Sequence, residues 1–369
     1  MEPDGEGFCY PRIDQSKCIH CRLCETVCPV GKAKNDRGEE VIPPAYAAYS
    51  QDHETQFNSS SGGVFREIAA YVIGNGGAVF GAAFTDGHTV EHIGVETMEG
   101  LRKLQGSKYV QSDMNSCCLQ VRQMLSDGRL VLFTGTPCQI AGLKGFLRQD
   151  YENLITQDII CHGVPSPMVW KKYLREVAEE SHSGISNVNF RDKKYGWNRY
   201  HVRFGLTNGR EKRKEFSDDL YMKGFLQNIY LRPSCYCCSF KTVHRSSDFT
   251  LADFWGVGKV CGEMEHRDGT SLVWLNSEKA EQIWEKIREK LRYVQVDLTE
   301  AIRYNSAAVS SVAKPPCREL FFELIRNHGF RDAVKTVLPK TGMLKRILNK
   351  LKNYLKTIYV RIWRNGRGL

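Results

Sequence analysis

The sequence lacks the features of a secreted, membrane-spanning or disordered chain. It has no N-terminal segment of basic, apolar and small residues of the kind that a secretory signal requires. Its longest uncharged stretch, residues 68–85, is interrupted by Gly74, Asn75, Gly76 and Gly77, so it does not form an apolar membrane span. Its hydrophobic content of 41% is too high for disorder. We therefore expect a folded, cytoplasmic protein.

Acidic residues are absent from residues 333–369, which contain ten Lys or Arg. Removing these ten from the 52 basic residues of the chain leaves 42, equal to its 42 acidic residues. The net charge of +10 is therefore a property of the tail, and the body is neutral. A neutral body argues against a protein that binds nucleic acid across its folded surface.

Fourteen cysteines stand in a chain without a secretory signal, so metal ligation is favoured over a disulfide framework. The N-terminal run consists of Cys18, Cys21, Cys24 and Cys28, followed by Pro29. This is the spacing with which bacterial ferredoxins hold a 4Fe-4S cluster. A zinc knuckle and reduced structural cysteines are the alternatives.

The spacing does not identify the fourth ligand of this cluster. In ferredoxins with two clusters the cysteine before proline binds the other cluster, and this chain has one such run. Cys28 or another residue therefore completes the site. Residues 7–14 are typical of the linker that follows a first run, so we expect either a shortened relative or a missing upstream run.

The order of apolar segments predicts an α+β or mixed α/β fold. Strand-like runs at residues 129–133 and 154–160 end at loops that carry Cys138 and Cys161, and each loop precedes a helical segment. A helix is expected from Ser59 onward, and Asn208-Gly209 predicts a hairpin turn. The predicted parts are a ferredoxin-type module at 1–42, a mixed-sheet body divided into 43–130 and 131–330, and a basic amphipathic helix at 331–369.

Six ordered motifs resemble those of the beta subunits of coenzyme F420 hydrogenases and dehydrogenases, which are iron-sulfur flavoproteins. They are Ser59-Ser60-Ser61-Gly62-Gly63, residues 106–112, residues 134–139, Cys161-His162-Gly163, residues 232–235, and Ser247-Asp248 through residues 253–256. The resemblance spans most of residues 8–330. It implies an oxidoreductase that contains FAD and 4Fe-4S clusters.

A second cluster is predicted from Cys138, Cys161, Cys235 and Cys238. Thiolates at loop ends, together with a pair separated by two residues, make a plausible ligand set, and the resemblance strengthens it because these positions match cysteine-bearing motifs of the family. Cys237 is an alternative to one of its neighbours. Buried structural thiols are the competing interpretation.

The resemblance places the flavin near two further motifs. Ser59, Ser60, Ser61, Gly62 and Gly63 begin a predicted helix, where small residues and free backbone N–H groups suit a phosphate. Ser107, Lys108 and Tyr109 offer hydroxyls and a cation for a diphosphate. A simple helix cap and a loop with a solvated lysine are the competing interpretations.

Other residues near these motifs have structural or functional interpretations. His162 either tunes a cluster or is satisfied by loop backbone. Trp197 and Trp255 are expected to pack against other residues. Arg191, Asp192 and Lys193 are expected to form an exposed charged turn, although the neighbouring Tyr195-Gly196-Trp197 segment is an alternative lining for a substrate pocket.

The expected function is electron transfer between a hydride donor of deazaflavin or other type and a one-electron redox partner protein. A flavin accepts a hydride as two electrons, whereas a cubane exchanges one electron at a time. The alternatives are an electron-relay or scaffold subunit that oxidises no substrate itself, and a zinc-stabilised binding protein.

The tail has the pattern of a basic amphipathic helix. Apolar residues recur at helical spacing, and Lys and Arg lie between them: Leu344, Ile347, Leu348, Leu351, Leu355, Ile358, Ile362 and Trp363 are the apolar set. This pattern suits peripheral contact with an anionic bilayer at the inner face of the membrane. Packing on the body or on a partner protein is the alternative.

Deletion of residues 340–369 tests the membrane interpretation. The full chain is expected to co-sediment with anionic liposomes at low salt, and the truncated chain is expected to remain in the supernatant, because the deletion removes the basic and apolar residues together. Equal sedimentation of both forms would reject the tail as the membrane contact.

Overall fold

The computed structural model describes residues 1–32 and 42–339. The predicted tail helix falls mainly on residues 340–369, outside the described part. The strands are β1 (Glu2–Pro3), β2 (Cys9–Tyr10), β3 (Ala45–Ser50), β4 (Ala78–Phe84), β5 (Val90–Val95), β6 (Val131–Gly135), β7 (Leu154–Ile159), β8 (Ile185–Asp192), β9 (His201–Leu206), β10 (Glu211–Glu215), β11 (Phe249–Asp253), β12 (Ser271–Leu275) and β13 (Leu291–Val296).

Helices alternate with these strands along most of the chain. They are α1 (Leu23–Thr26), α2 (Pro29–Lys32), α3 (His53–Asn58), α4 (Val64–Gly74), α5 (Met98–Leu104), α6 (Cys117–Ser126), α7 (Pro137–Leu147), α8 (Pro167–Ser181), α9 (Leu220–Leu226), α10 (Val257–Val260), α11 (Glu278–Ile287), α12 (Leu298–Ile302), α13 (Arg318–Asn327) and α14 (Phe330–Val337). None of the helices within residues 1–32 and 42–339 is long and apolar enough to cross a bilayer.

A mixed eight-stranded sheet forms the centre of the body, with strand order β13-β3-β12-β11-β7-β6-β4-β5. Its middle strands β4, β6, β7 and β11 are parallel neighbours, whereas β5, β12, β3 and β13 pair antiparallel at the sides. The mixed α/β fold expected from the sequence is confirmed.

Alternating side chains on the middle strands explain why helices cover both faces of the sheet. On β6, Leu132 packs in the core that contains α4 and α11, whereas Val131 and Phe133 pack in the core that contains α6 and α7. All three side chains are fully buried. A parallel strand that is apolar on both faces requires cover on both, which is what these helices supply.

A smaller antiparallel sheet, β10-β9-β8, and helices α8, α9, α13 and α14 form another core. The N-terminal hairpin β1-β2 is anchored to this core, because Phe8 is fully buried within it and Glu6 forms an ion pair with Arg318. The side-chain hydroxyl of Ser166 donates to the Glu6 carbonyl. The opening residues are therefore tied to the body.

The helix expected from Ser59 begins five residues later, at Val64. Residues 61–62 are held instead by neighbouring strands: Ser61 Oγ donates to the Thr270 carbonyl at 2.9 Å, and the Gly62 carbonyl accepts from the Ser50 N–H at 2.7 Å. Gly63 has φ +90° and ends this connection. Tertiary hydrogen bonds therefore outweigh the local tendency to begin a helix at Ser59.

Candidate functional site

The carboxyl ends of three adjacent parallel strands bring the predicted site together. Cys138 lies in the first turn of α7, directly after β6, and Cys161 follows β7. The segment Phe254-Trp255 follows β11, which pairs with β7. In open α/β sheets, ligands bind beyond the carboxyl ends of parallel strands, so the fold alone points to this edge.

Four cysteines line one cavity at this edge: Cys138, Cys161, Cys235 and Cys238. The last two come from the short helical turn Pro233–Cys237 and the residue after it. Cys237 is exposed and is not among the lining residues. The fold therefore gathers the set that the sequence proposed, from three segments that lie far apart along the chain.

The environment of these thiols suits an iron-sulfur cluster. Apart from Thr136, the rest of the cavity is lined by apolar and basic residues, and no acidic residue in the described part of the chain lines it. Burial is the main cause that raises the pKa of Cys138 and Cys161, and it raises the pKa of Cys235 to about 11; the neighbouring thiols add to each rise. Metal ligation requires thiolates, so a positive metal centre is what compensates such a group.

The four cysteines are less suited to binding a single metal ion. Among residues 1–32 and 42–339, no three His, Cys, Asp or Glu side chains are grouped closely enough to hold one ion. A cubane differs in this respect, since its four cysteine ligands each bind a separate iron and stand further apart.

A chain of hydrogen bonds fixes the first turn of α7, which contains Cys138. Gln139 Nε2 donates to Ser112 Oγ at 2.8 Å, and Ser112 lies 2.9 Å from His92 Nδ1. His92 Nε2 lies 3.0 Å from the Thr134 carbonyl, which can only accept. His92 therefore carries a proton on Nε2, and burial lowers its pKa to about 4, so the ring is neutral at ordinary pH. This chain joins the motif at 106–112 to the motif at 134–139.

The N-terminal cysteine run lies on the surface. Cys21 and Cys24 are exposed, whereas Cys18 and Cys28 are half-buried. His20 and Arg22 adopt positive φ of 54° and 55°, which turns the chain sharply between the cysteines. The run contacts the body at α7, where any side chain at Gly145 would collide with the Val27 carbonyl. The helix α7, whose first turn contains Cys138, therefore also supports this run.

A cleft of about 1440 Å³ lies beside the cysteine cavity, and four of the residues predicted for flavin line it: Ser59, Ser60, Ser107 and Lys108. Ser60 and Ser107 join the two motifs, because the Ser107 N–H donates to Ser60 Oγ at 2.8 Å and the two hydroxyls are 2.9 Å apart. The cleft exceeds the roughly 300–1,000 Å³ of a typical small-molecule site.

The other residues predicted for flavin have structural contacts. Ser61, Gly62 and Gly63 are buried against the sheet and do not line the cleft. Tyr109 also lies outside the lining and packs against Phe190 and Phe225. Direct contact of these four residues with a flavin stays a prediction.

Lys108 lines the cleft but its ammonium group is engaged elsewhere. Nζ donates to the carbonyls of Lys103, Leu104 and Gln105 at 3.0, 2.9 and 2.8 Å, at the C-terminal end of α5. Cations are favoured at that end of a helix. Burial lowers the pKa of Lys108 to about 7. In this arrangement Lys108 fixes the loop that presents Ser107.

The expectation of an exposed charged turn at residues 191–193 is wrong. Arg191 and Lys193 are 3% and 2% exposed. Arg191 forms an ion pair with Asp253 at 3.0 Å and lies over the Tyr200 ring at 3.9 Å, while Lys193 donates to backbone carbonyls that include that of Ser61. Desolvation of these cations is compensated by partners from distant segments, which local sequence does not reveal.

Aromatic residues connect the cleft to the cysteine cavity. Arg191, at the cleft, lies beside the stacked pair Trp197 and Trp255, whose ring centroids are 4.4 Å apart, so their predicted packing is confirmed. Tyr109, which follows the cleft residue Lys108 in the chain, packs on Phe225 at 4.9 Å, and Phe225 packs on His162 at 4.9 Å. His162 follows Cys161 and lines the cysteine cavity.

Comparison with known proteins supports the predicted resemblance. Residues 128–300 match the family model for the C terminus of the coenzyme F420 hydrogenase/dehydrogenase beta subunit, and residues 10–33 match a 4Fe-4S binding domain. No curated protein gives a significant match. A chain of the F420-reducing [NiFe] hydrogenase complex from Methanosarcina barkeri, in a xenon-derivatised structure, is similar with 16% identity and a TM-score of 0.47, over 79% of this chain and 89% of that chain.

The neutral state of His92 predicts a pH dependence of stability. Its folded pKa of about 4 lies below the ordinary 6.5, so the stability it contributes is complete above pH 6.5 and is lost as the pH falls towards 4. When the pH is lowered from 8 to 5, the free energy of unfolding of the native protein should fall by about 2 kcal/mol relative to that of His92→Gln. Urea unfolding of both proteins at both pH values measures this. A difference independent of pH would contradict the assignment.

Proposed function

We propose, from the match of residues 128–300 to the C-terminal model of the coenzyme F420 hydrogenase/dehydrogenase beta subunit, that this chain is an oxidoreductase that transfers electrons between a hydride donor and a one-electron partner. The donor is of deazaflavin type and binds in the cleft together with FAD. The electrons pass through a 4Fe-4S cluster at Cys138, Cys161, Cys235 and Cys238 and through a second one in the N-terminal run.

The observation that carries this proposal is the convergence of four cysteines on one cavity beside a large cleft. Two aromatic contacts of 4.9 Å, from Tyr109 to Phe225 and from Phe225 to His162, run from the residue after Lys108, which lines the cleft, to the wall of the cavity. A cofactor in the cleft and a cluster in the cavity would therefore be separated by packed side chains.

The cleft offers groups that suit a diphosphate. Ser59, Ser60 and Ser107 supply hydroxyls, and Arg66, Arg102 and Lys103 supply positive charge along the same lining. Arg66 lies in the first turn of α4, near backbone N–H groups that favour anions. Lys108 holds the loop of Ser107 in place through the end of α5. The volume of the cleft leaves room for a second ring system beside a bound flavin.

The N-terminal run provides the exit for single electrons. Its match to a 4Fe-4S binding domain covers Cys18, Cys21, Cys24 and Cys28, and two of these cysteines are exposed. A partner protein can therefore approach this run without a change in the body. A flavin accepts two electrons as a hydride and a cubane passes one at a time, so the pair of cofactor types converts one mode of transfer into the other.

Cysteine replacement tests the second cluster. Cys138→Ser and Cys161→Ser should each lower the iron content of anaerobically purified protein by about four irons per chain, because each removes one ligand of a cubane. Cys261→Ser is the matched control, since Cys261 lies outside the cavity, and it should keep all of its iron. Unchanged iron in both cavity variants would reject the second cluster.

Replacement of cleft arginines tests the flavin. Arg66→Gln and Arg102→Gln should each weaken FAD binding by about 1–3 kcal/mol through loss of a charge-assisted contact with phosphate. Arg326→Gln, an exposed position on α13 outside the cleft, is the control. Equilibrium titration of cofactor-depleted protein with FAD measures the affinities. A protein that neither contains nor takes up flavin would favour a relay subunit that oxidises no substrate itself.

A further inference from the structure

Arg245 is a buried cation at the cysteine cavity. Its side chain is 2% exposed and lines the same cavity as the four cysteines. Its two terminal nitrogens donate to the carbonyls of Phe240 and Ala308, each at 3.1 Å, and its guanidinium lies 5.5 Å from the Trp274 ring centroid. These contacts fix the position of the charge.

The protein contacts of Arg245 do not explain its burial. Within the described residues its Nε has no hydrogen-bond partner, although it is shielded from solvent. The nearest carboxylate, that of Asp158 on β7, is 3.8 Å away, and Asp158 Oδ1 also lacks a partner. A buried ion pair with long contacts and unsatisfied atoms repays little of the cost of desolvation. A further negative group beside Arg245 would account for its presence.

A cubane held by four thiolates is such a group. Its core and ligands carry net negative charge, and reduction adds one more electron to a site of low dielectric constant. Arginine retains its charge under all ordinary conditions. Lys241 also lines the cavity and acts electrostatically on Cys161 and Cys235, but its Nζ donates to the carbonyls of Cys161 and Ala307, whereas Arg245 keeps an N–H without a partner among the described residues.

We propose that Arg245 compensates the charge of the cluster at Cys138, Cys161, Cys235 and Cys238, and that it thereby raises the reduction potential of that cluster. The inference rests on the proposed function, since it requires the second cluster. It deepens that function by naming the residue that sets how readily this cluster accepts an electron from the cleft.

Potentiometric titration followed by electron paramagnetic resonance at pH 8 tests the inference on the full chain. Arg245→Gln should lower the potential of the second cluster, and Arg245→Lys, which keeps the charge, should restore most of the shift. The N-terminal cluster is an internal reference whose potential should not move. Arg288→Gln, an exposed arginine beside the far sheet edge β13, is the matched control.

Arg245→Gln with full iron content and an unchanged potential would overturn the inference. If this variant does not fold, Asp158→Asn tests the same electrostatic effect, because it removes the carboxylate that lies near Arg245. Loss of the carboxylate should raise the potential of the second cluster, and a potential that stays or falls would overturn the inference. Failure of the inference and failure of the proposed function can be distinguished. If the Cys138→Ser variant contains as much iron as the native protein, the second cluster itself is rejected.

Discussion

The parallel pairing of β6, β7 and β11 is the constraint on which the rest of the site depends. Because these strands run side by side in one direction, the loops after them meet at one edge of the sheet. This alignment brings Cys138 and Cys161 together and places Phe254-Trp255 next to them. The turn that carries Cys235 and Cys238 closes the same cavity. A change in the register of β7 would separate the thiols, whichever metal they bind.

Buried cations hold the loops around this edge. Lys193 donates to the backbone of Gln56, Ser61 and Asp268, and Lys241 donates to that of Cys161 and Ala307. In each case one ammonium group gathers carbonyls from separate segments. A buried lysine is costly unless its protons are satisfied, so these contacts require the segments to stay in place. Such fixed loops suit a site that must keep cofactors at constant separation.

Much of the fold could be predicted from local patterns. The strands at 131–135 and 154–159 and the helices that follow them, α7 and α8, follow from apolar periodicity and turn residues, and the family resemblance identified the cysteines that meet at the cavity. The start of α4 and the burial of Arg191 and Lys193 could not be predicted in this way. Both depend on partners from distant parts of the chain, such as Asp253 and the Thr270 carbonyl, whose proximity exists only after the sheet has formed.

The role of Lys108 shows the same limit at the level of function. A lysine beside serines in a glycine-containing loop is a reasonable phosphate ligand in sequence, yet its ammonium group caps α5 in the structure. Arg66 and Arg102 belong to no motif that the sequence singled out, and the cleft nevertheless includes them. Local chemistry identified the region of the cleft, and tertiary structure decided which side chains face it.

The central claim is that one chain combines a flavin with two cubanes, one at the edge of the sheet and one in the N-terminal run. Chemical analysis of iron, zinc and released flavin in anaerobically purified full-length protein tests it most directly. The account predicts about eight irons and about one FAD per chain, with no stoichiometric zinc. Stoichiometric zinc in place of iron, or iron for a single cluster without any flavin, would contradict it.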